Sequence, residues 1–290
     1  MPEILQISDV HFGGVFLPDR AAGVHRVAER RQPDLVVIAG DFTQRARSKQ
    51  FTAARAFVDR FAAPTVVTPG NHDLPVYRLL ERAFAPYRKY RASIEASLDR
   101  VHAFDDMTVV ALNSTRPLRV TTGSLSDRQL DFAAAAFERG PAGHPRIVVT
   151  HHHVAYPPDF RAPKAMIGSE RVVSRLEQLG VRILIAGHLH STLIGESIRL
   201  MPRLRPGVPR RHGLVISQSG TATSTRGRGP ERGKNSFNYI SIGPGHTVVT
   251  HYEWDQSNQA FESVADHEFM SAAGAVGDPP AGPMGRGEGP

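Results

Sequence analysis

The chain has 290 residues, contains no cysteine and carries a formal net charge of +7. The lack of cysteine excludes disulfides, thiolate metal ligands and a catalytic thiol, and a hydrophobic share of 40% with 22% charged residues is typical of a globular protein. No apolar run approaches the roughly 20 residues of a membrane-spanning helix, and the N-terminus lacks the pattern of a secretory signal, so we expect no membrane span and a cytoplasmic location.

Short apolar runs predict five buried strands. Each run is four or five residues long, and most are rich in β-branched side chains and bounded by glycine, proline or polar residues. They cover residues 3–7, 35–39, 65–68, 146–150 and 182–186.

Helical patterns occur between several of these strands. They cover residues 18–31 and 48–61, and two more begin at Ser126-Asp127 and at Ser169. Strands that alternate with helices indicate an α/β fold.

The C-terminal third has a different pattern. Three runs joined by short turns, at 214–218, 237–242 and 247–252, predict antiparallel strands in a second sheet region. We therefore expect one catalytic domain over residues 1–265. Residues 266–290 are rich in alanine, glycine and proline, and we predict that this tail is disordered because it has too little apolar surface to bury.

Each of the five predicted strands ends at a residue that can bind a metal ion. The carboxyl ends of strands in an open α/β sheet lie along one edge, where ligands bind, so we expect these side chains to converge at a single sheet edge. A glycine precedes three of them and lets the backbone turn sharply. The candidate ligands are Asp9, His11, Asp41, Asn71, His151, His188 and His190.

This ligand set predicts two metal ions. Two carboxylates, one amide oxygen and four imidazoles suit borderline divalent ions such as zinc, manganese, iron or cobalt. Seven ligands are too many for one tetrahedral ion but suit two ions that share a bridging carboxylate. Two divalent ions outweigh the charge of two carboxylates, and the excess favours an anionic substrate such as a phosphate ester.

The order of these residues resembles the motifs of the calcineurin-like metallophosphoesterases. The resemblance covers roughly residues 3–252 and rests on Asp9-Val10-His11, Gly40-Asp41, Gly70-Asn71-His72-Asp73, His151 and Gly187-His188-Leu189-His190. Three other stretches resemble bacterial class III cyclic-nucleotide phosphodiesterases and glycerophosphodiesterases: Gly40-Asp41-Phe42-Thr43-Gln44, Gly123-Ser124-Leu125-Ser126 and Gly220-Thr221-Ala222-Thr223-Ser224. The resemblance implies a four-layer α/β/β/α sandwich of two mixed sheets.

The same resemblance implies a role for each residue. A first metal would be held by Asp9, His11 and His190, and a second by Asn71, His151 and His188. Asp41 would bridge the two ions and take part in catalysis. His72 would lie at the leaving-group oxygen of the substrate and act as a general acid or stabilise developing charge. The ions would be manganese, iron or zinc.

Three consecutive histidines make the fourth motif ambiguous. The relatives usually have His-His-Pro-Pro there, whereas this chain has His151-His152-His153-Val154, with Pro157-Pro158 displaced. We expect His152 to pack in or line the substrate pocket and His153 to be a solvated loop residue. Asn113 ends another strand-like run and either borders the substrate or only opens the following loop.

The leading functional hypothesis is hydrolysis of small phosphodiesters, such as cyclic nucleotides or glycerophosphodiesters, by in-line attack of a metal-bridging hydroxide. A phosphomonoesterase or a nuclease could use the same site, and a non-catalytic scaffold is the third alternative. We disfavour nucleic acid as a partner because no added DNA-binding element is evident, although the positive charge keeps it open. The sequence leaves a homodimer open.

Overall fold

Two six-stranded sheets form the centre of the molecule, a computed structural model that describes residues 1–156, 164–201 and 213–270. The strands are β1 (Glu3–Ile7), β2 (Leu35–Ile38), β3 (Thr65–Val67), β4 (Arg100–Ala103), β5 (Thr108–Ala111), β6 (Arg146–Val149), β7 (Val181–Ala186), β8 (Leu193–Glu196), β9 (Val215–Gln218), β10 (Ser236–Gly243), β11 (His246–Asp255) and β12 (Ala260–Met270). The helices are α1 (Pro18–Arg31), α2 (Ser48–Val58), α3 (Leu79–Phe84), α4 (Arg88–Ser93), α5 (Asp127–Arg139), α6 (Ser169–Gln178) and α7 (Ser197–Leu200).

Both sheets mix parallel and antiparallel strands. The first sheet has the order β12-β11-β10-β1-β2-β3, and the second has the order β4-β5-β6-β7-β9-β8. In the first sheet β1, β2 and β3 run parallel, and in the second β5, β6, β7 and β9 do. Within the described residues, no helix combines the length and apolar character that crossing a bilayer requires.

The central strands of the two sheets, such as β1 and β6, are buried on both faces, which produces four layers. In β1, Leu5 and Ile7 pack with residues of α1 and α2, while Ile4 faces the second sheet. In β6, Val148 packs with residues of α5 and α6, while Ile147 faces the first sheet. Since side chains alternate between the faces of a strand, each sheet contacts helices on one side and the other sheet on its inner side. The predicted α/β/β/α sandwich is confirmed.

Most predicted elements occur close to their predicted bounds. All five ligand-bearing strands end within one residue of the predicted end, and α1 has the predicted bounds. The helix α2 ends at Val58, three residues before the predicted end at 61. The helices α5 and α6 begin at Asp127 and Ser169.

The C-terminal strands correct the prediction of a separate sheet region. The strands β10 and β11 extend the first sheet beside β1, whereas β9 lies parallel to β7 in the second sheet. The strand β12 reaches Met270, so the predicted boundary at 265 falls inside a strand. This edge strand is largely exposed and lacks an apolar periodicity, which explains why the sequence did not reveal it. Residues 271–290 of the predicted tail lie outside the described residues.

A buried glutamine fastens the two sheets together near the carboxyl ends of their strands. The Nε2 of Gln6 in β1 donates to the carbonyl oxygens of Ala186 at 3.0 Å and Ser217 at 2.9 Å. The hydroxyl of Ser217 donates back to the Oε1 of Gln6 at 2.6 Å. These bonds satisfy polar groups at the centre of the sandwich, and they set the end of β1 against the ends of β7 and β9.

Candidate metal centre

The predicted ligands converge between two sheets, so the expected single sheet edge is wrong. Asp9, Asp41 and Asn71 follow β1, β2 and β3 of the first sheet, and His151 and His188 follow β6 and β7 of the second. Because the facing sheets bring these strand ends together, the ligands come from both sides of the interface. A sequence that shows strands but not their sheet membership cannot distinguish the two arrangements.

Five of the seven predicted ligands have left-handed backbones, a conformation that non-glycine residues adopt rarely. The described residues contain eight such non-glycine positions, and the ligands among them are Asp9, His11, Asp41, His188 and His190. Backbone strain of this kind persists only where the surrounding structure imposes it, and it is concentrated at functional sites. The concentration here indicates that the strand ends are shaped to direct these side chains inward.

The glycines that precede three ligands provide space more than conformational freedom. A side chain at Gly70 would place its Cβ 2.1 Å from the Oδ1 of Asp41, and one at Gly187 would place it 2.8 Å from the Oδ2 of Asp9. Only Gly40 also has a positive φ, of 83°. The predicted role in sharp turning therefore holds for Gly40, whereas Gly70 and Gly187 let two loops approach each other.

Replacing Gly70 with alanine is expected to lower metal affinity, because the new methyl group must displace the carboxylate of Asp41. Since weaker, indirect changes around a metal ligand cost about 10–100-fold in affinity, we expect a loss of at least that size. Metal titration followed by calorimetry measures it. Gly14→Ala is the matched control because its Cβ would meet only the Oε1 of Gln44, at 3.9 Å; equal affinities for the two variants would contradict the prediction.

Four of the predicted ligands form a first buried cluster. One donor atom from each of Asp9, His11, Asp41 and His190 lies within 4.8 Å of all the others. The Oδ1 of Asp9 lies 3.0 Å from the Nε2 of His190 and 3.6 Å from the Nε2 of His11. These are the residues predicted for the first metal, together with the residue predicted to bridge the two metals.

The hydrogen bonds of this cluster leave atoms that a cation would satisfy. The Nδ1 of His190 lies 2.9 Å from the carbonyl oxygen of Arg226, so Nδ1 carries the proton and Nε2 presents a lone pair. That Nε2 faces the Nε2 of His11 at 3.1 Å. The Oδ1 of Asp9 and the Oδ2 of Asp41 are buried without a hydrogen-bond partner among the described residues. Lone pairs and anionic oxygens directed at one point fit a divalent metal ion.

A second buried cluster lies beside the first. His151, His152 and His188 bring ring nitrogens within 4.8 Å of one another. The Nε2 of His151 lies 3.1 Å from the Oδ1 of Asn71 and 3.2 Å from the Nδ1 of His188. The Nδ1 of His151 donates a hydrogen bond to the carbonyl oxygen of Ala39 at 2.8 Å, so its Nε2 is the nitrogen that faces the cluster. The structure thus brings together the three residues predicted for the second metal.

Asp41 lies between the two clusters. Its Oδ1 is 3.5 Å from the Nε2 of His151, and its Oδ2 is 3.6 Å from the Nε2 of His11. Its Oδ1 also accepts a hydrogen bond from the backbone N–H of His72 at 2.8 Å. One oxygen therefore faces each cluster, which is the geometry that a bridging carboxylate needs.

Burial and neighbouring side chains hold His11, His188 and Asp9 in the forms that bind cations. It lowers the pKa of the His11 imidazole to about 4 and that of His188 well below its usual value. Burial alone would raise the pKa of the Asp9 carboxyl, but His190 and His11 hold that pKa well below its ordinary value. Neutral imidazoles and an ionised carboxylate are the ligand forms that metals require.

Asp73 supports the loops that carry Asp41 and Asn71. Its carboxylate accepts hydrogen bonds from the backbone N–H groups of Thr43 at 2.9 Å and Gly70 at 2.9 Å. Burial and the neighbouring Asp41 raise the pKa of this carboxyl to about 7. The bonds tie the end of β2 to the end of β3, so Asp73 positions the ligands through the backbone.

The three uncertain positions have different surroundings. His152 is buried, and its Nδ1 lies 2.9 Å from the hydroxyl of Ser114 while the ring belongs to the second cluster. His153 is 1% exposed and its ring stacks on that of His188 at 5.5 Å, so the expectation of a solvated residue is wrong. The Oδ1 of Asn113 accepts from the N–H of Thr115 at 3.0 Å and shapes that loop. A substrate contact by Asn113 stays a prediction.

His72 lies at the first cluster with a defined tautomer. Its ring stands at 90° to the ring of His11, with centroids 5.0 Å apart. Its Nδ1 lies 3.0 Å from the carbonyl oxygen of Gln44, which can only accept, so Nδ1 carries the proton. The Nε2 of the neutral ring is then an acceptor, and the Nη1 of Arg226 donates to it at 3.1 Å.

Arg226 and the loop that carries it were not predicted from the sequence. The stretch 220–224 contributed only to the family resemblance, yet the hydroxyls of Thr221 and Thr223 donate to the carbonyl oxygens of Asp9 at 2.7 Å and Val10 at 2.9 Å. The loop thereby supports the end of β1 and brings a partly buried arginine to His72. One arginine in a strongly basic chain has no local signal that could have identified it.

Known proteins resemble this chain in sequence. The family described as calcineurin-like phosphoesterase matches residues 2–192. A probable cyclic nucleotide phosphodiesterase of Synechococcus is 27% identical over 206 residues, which are 66% of this chain and 74% of that protein. A cAMP/cGMP dual specificity phosphodiesterase of Mycobacterium tuberculosis is 26% identical over 274 residues, which are 85% of this chain and 81% of that protein.

Solved structures share the fold. A dimetal phosphatase from Danio rerio has a TM-score of 0.64 at 13% identity and covers 93% of this chain and 99% of its own. A purple acid phosphatase from yellow lupin has a TM-score of 0.66 at 11% identity and covers 93% of this chain and 53% of its own. The fold and the family match confirm the resemblance predicted from the motifs: the chain is a hydrolase that belongs to the calcineurin-like phosphoesterase family.

Proposed function

We propose that the protein is a binuclear-metal-dependent phosphodiesterase that hydrolyses small phosphodiesters of the cyclic-nucleotide or glycerophosphodiester type. The observation that carries this proposal is Asp41, whose two carboxylate oxygens face two separate ligand clusters. The names of the sequence relatives, which are cyclic nucleotide phosphodiesterases, favour a diester over a monoester.

In this proposal the two clusters hold two divalent ions. Asp9, His11 and His190 would hold the first, Asn71, His151 and His188 the second, and Asp41 both. When bound, such ions supply Lewis acidity that lowers the pKa of water and offsets charge on phosphoryl oxygens. A ring nitrogen of His152 lies within 4.8 Å of ring nitrogens of His151 and His188, so His152 is one more candidate ligand of the second metal than the sequence predicted.

Arg226 is the residue that the geometry favours as a donor to the substrate. The Nε2 of a neutral His72 accepts a hydrogen bond from Arg226 because the ring proton is on Nδ1. A neutral His72 therefore cannot donate a hydrogen bond to the substrate from Nε2. Burial lowers the pKa of His72, although Asp41 opposes this effect, and Arg226 lowers it further. A guanidinium remains charged at neutral pH and donates to phosphate oxygens in a fixed geometry. We therefore propose that Arg226 donates to the phosphoryl or leaving-group oxygen. His72 would orient Arg226, in place of the general-acid role predicted for His72.

A substrate panel with metal-reconstituted enzyme tests the proposed reaction. We expect manganese- or zinc-loaded protein to hydrolyse bis-(p-nitrophenyl) phosphate faster than p-nitrophenyl phosphate and to cleave a 3′,5′-cyclic nucleotide or a glycerophosphodiester. Chelator-treated protein is the control and should be inactive until metal is restored. Preference for the monoester would indicate a phosphomonoesterase, and salt-sensitive cleavage of oligonucleotides would indicate a nuclease. No turnover with any divalent metal would refute the enzymatic proposal.

The metal identities and the cytoplasmic location remain proposals from the sequence. Imidazole and carboxylate ligands suit manganese, iron and zinc alike, so the donor set alone does not select one ion. Metal analysis of protein purified without added metal identifies the native pair.

A further inference from the structure

An exposed apolar surface lies beside the metal centre. The described residues contain 11 exposed large hydrophobic side chains, and six of them lie in two short segments. We call these six the apolar ridge: Tyr77, Leu79, Leu80, Phe84, Leu118 and Val120. Phe84 is 85% exposed and Leu118 is 91% exposed, so these side chains protrude into solvent. Apolar side chains clustered in this way mark an interaction site more often than single exposed ones do.

A buried arginine joins the two segments into one surface. Arg82 in α3 is 7% exposed, and its guanidinium donates to the carbonyl oxygens of Pro117 at 2.5 Å and Arg119 at 2.9 Å. These bonds connect α3 to the loop that carries Leu118 and Val120. The ridge is therefore held in place by the fold.

The ridge is also close to the loop that follows β2 and carries Asp41. The apolar ridge begins at Tyr77, four residues after Asp73. The ring of Tyr77 lies 5.5 Å from the guanidinium of Arg45 in that loop. Arg78 donates through Nη2 to the carbonyl oxygen of Ala46 at 2.8 Å. The same loop includes Gln44, whose carbonyl accepts from His72. A surface bound to the ridge would thus lie next to the metal centre.

Cations surround the ridge in excess. Arg78, Arg88 and Lys89 all pair with the single carboxylate of Glu81. Arg91 and Arg119 are exposed nearby. A second copy of the chain docked on this face would bring these positive charges together and would be repelled. An anionic partner is favoured instead.

We propose that the apolar ridge docks on an anionic lipid surface. Protruding leucine and phenylalanine side chains insert at the boundary of headgroups and acyl chains, while surrounding arginines pair with lipid phosphates. Side chains exposed to this degree are better suited to insertion between lipids than to docking on a protein, because a protein partner would need a groove to receive them. The docking would hold the enzyme at the membrane surface and place the metal centre near the headgroups.

Vesicle sedimentation of the full chain tests this proposal. The probes are vesicles of phosphatidylcholine alone and of phosphatidylcholine mixed with phosphatidylglycerol. We expect binding to the mixed vesicles only, and a fall in the partition coefficient of at least about tenfold for Leu79→Ser/Leu80→Ser/Phe84→Ser, because each inserted apolar group adds to membrane affinity. Arg91→Glu/Arg119→Glu should weaken binding to the mixed vesicles in the same direction.

A matched control separates the ridge from general surface effects. Val264→Ser/Met270→Ser changes exposed apolar residues on the edge strand β12 and should leave vesicle binding unchanged. Thermal unfolding confirms that each variant is folded. The proposal is overturned if wild-type protein ignores anionic vesicles or if the serine variant binds them as tightly. Dimers that the serine substitutions abolish, without vesicle binding, would assign the ridge to a second copy. The assay needs no turnover, so its failure leaves the proposed hydrolysis standing.

Discussion

Asp41→Asn is expected to reduce kcat/KM for a phosphodiester by at least about a thousandfold. Substituting residues that only hydrogen-bond to a metal ligand already costs about 10–100-fold in metal affinity or activity, and Asp41 is a candidate ligand itself. The substitution keeps the size of the side chain but removes the negative charge that faces both clusters. An amide has one oxygen and one NH₂ group, so it cannot present an acceptor to two ions at once. The bridging position is therefore lost while the shape of the buried site is preserved.

Metal analysis distinguishes this explanation from misfolding. We expect the metal content to fall from two ions per chain while the thermal unfolding of the metal-free protein changes little. Asp105→Asn provides the matched control because Asp105 is an exposed aspartate in the turn between β4 and β5. A variant at Asp41 that kept both ions and full activity would exclude a bridging role for this carboxylate.

Arg226→Ala should lower kcat by about 10²–10³-fold, the usual effect of removing one donor that stabilises transition-state charge. Metal content should stay unchanged, because Arg226 contacts His190 through its backbone carbonyl, which alanine retains. The effect should fall on kcat more than on KM if the guanidinium acts mainly on charge that develops in the reaction. Arg226→Lys should recover only part of the rate, since a lysine lacks the planar fork.

Two further comparisons separate Arg226 from its neighbours. Arg232→Ala removes an exposed arginine six residues away and should leave kcat unchanged. His72→Ala should slow the reaction because it removes the group that orients Arg226. Since the pKa of His72 lies below its ordinary value, a general-acid role would make kcat fall as pH rises through that lowered pKa. If kcat falls with rising pH in this range for the wild-type enzyme but not for His72→Ala, His72 is the donor and the assignment to Arg226 is wrong.

The candidate metal ligands could be identified in the sequence because their signals are local. A run of buried residues followed by Asp, Asn or His identifies each strand end, and five such signals in order specify the family. The space around Gly70 and the orientation of the Asp41 oxygens could not be predicted, because they depend on how loops from two strands meet. The sheet to which each strand belongs could not be predicted either, since parallel strands of both sheets have the same apolar pattern.

The remaining site residues depend on contacts between distant segments. Arg226 reaches His72 across 154 positions of the chain. His153 follows a strand and resembles a loop residue in sequence, yet it is buried against His188. No periodicity predicts pairs of this kind. The loop at 152–168, which contains two of the histidines that make the fourth motif ambiguous, is described only in part, and the displaced proline pair at 157–158 lies outside the described residues.

Anomalous diffraction from crystals of the manganese-loaded enzyme tests the central claim most directly. Data collected near the manganese absorption edge locate each ion independently of any assumed ligand. We expect two peaks about 3.5–4 Å apart, one among Asp9, His11 and His190 and one among Asn71, His151 and His188, with Asp41 between them. A single peak, or a second peak that Asp41 does not contact, would contradict a binuclear centre.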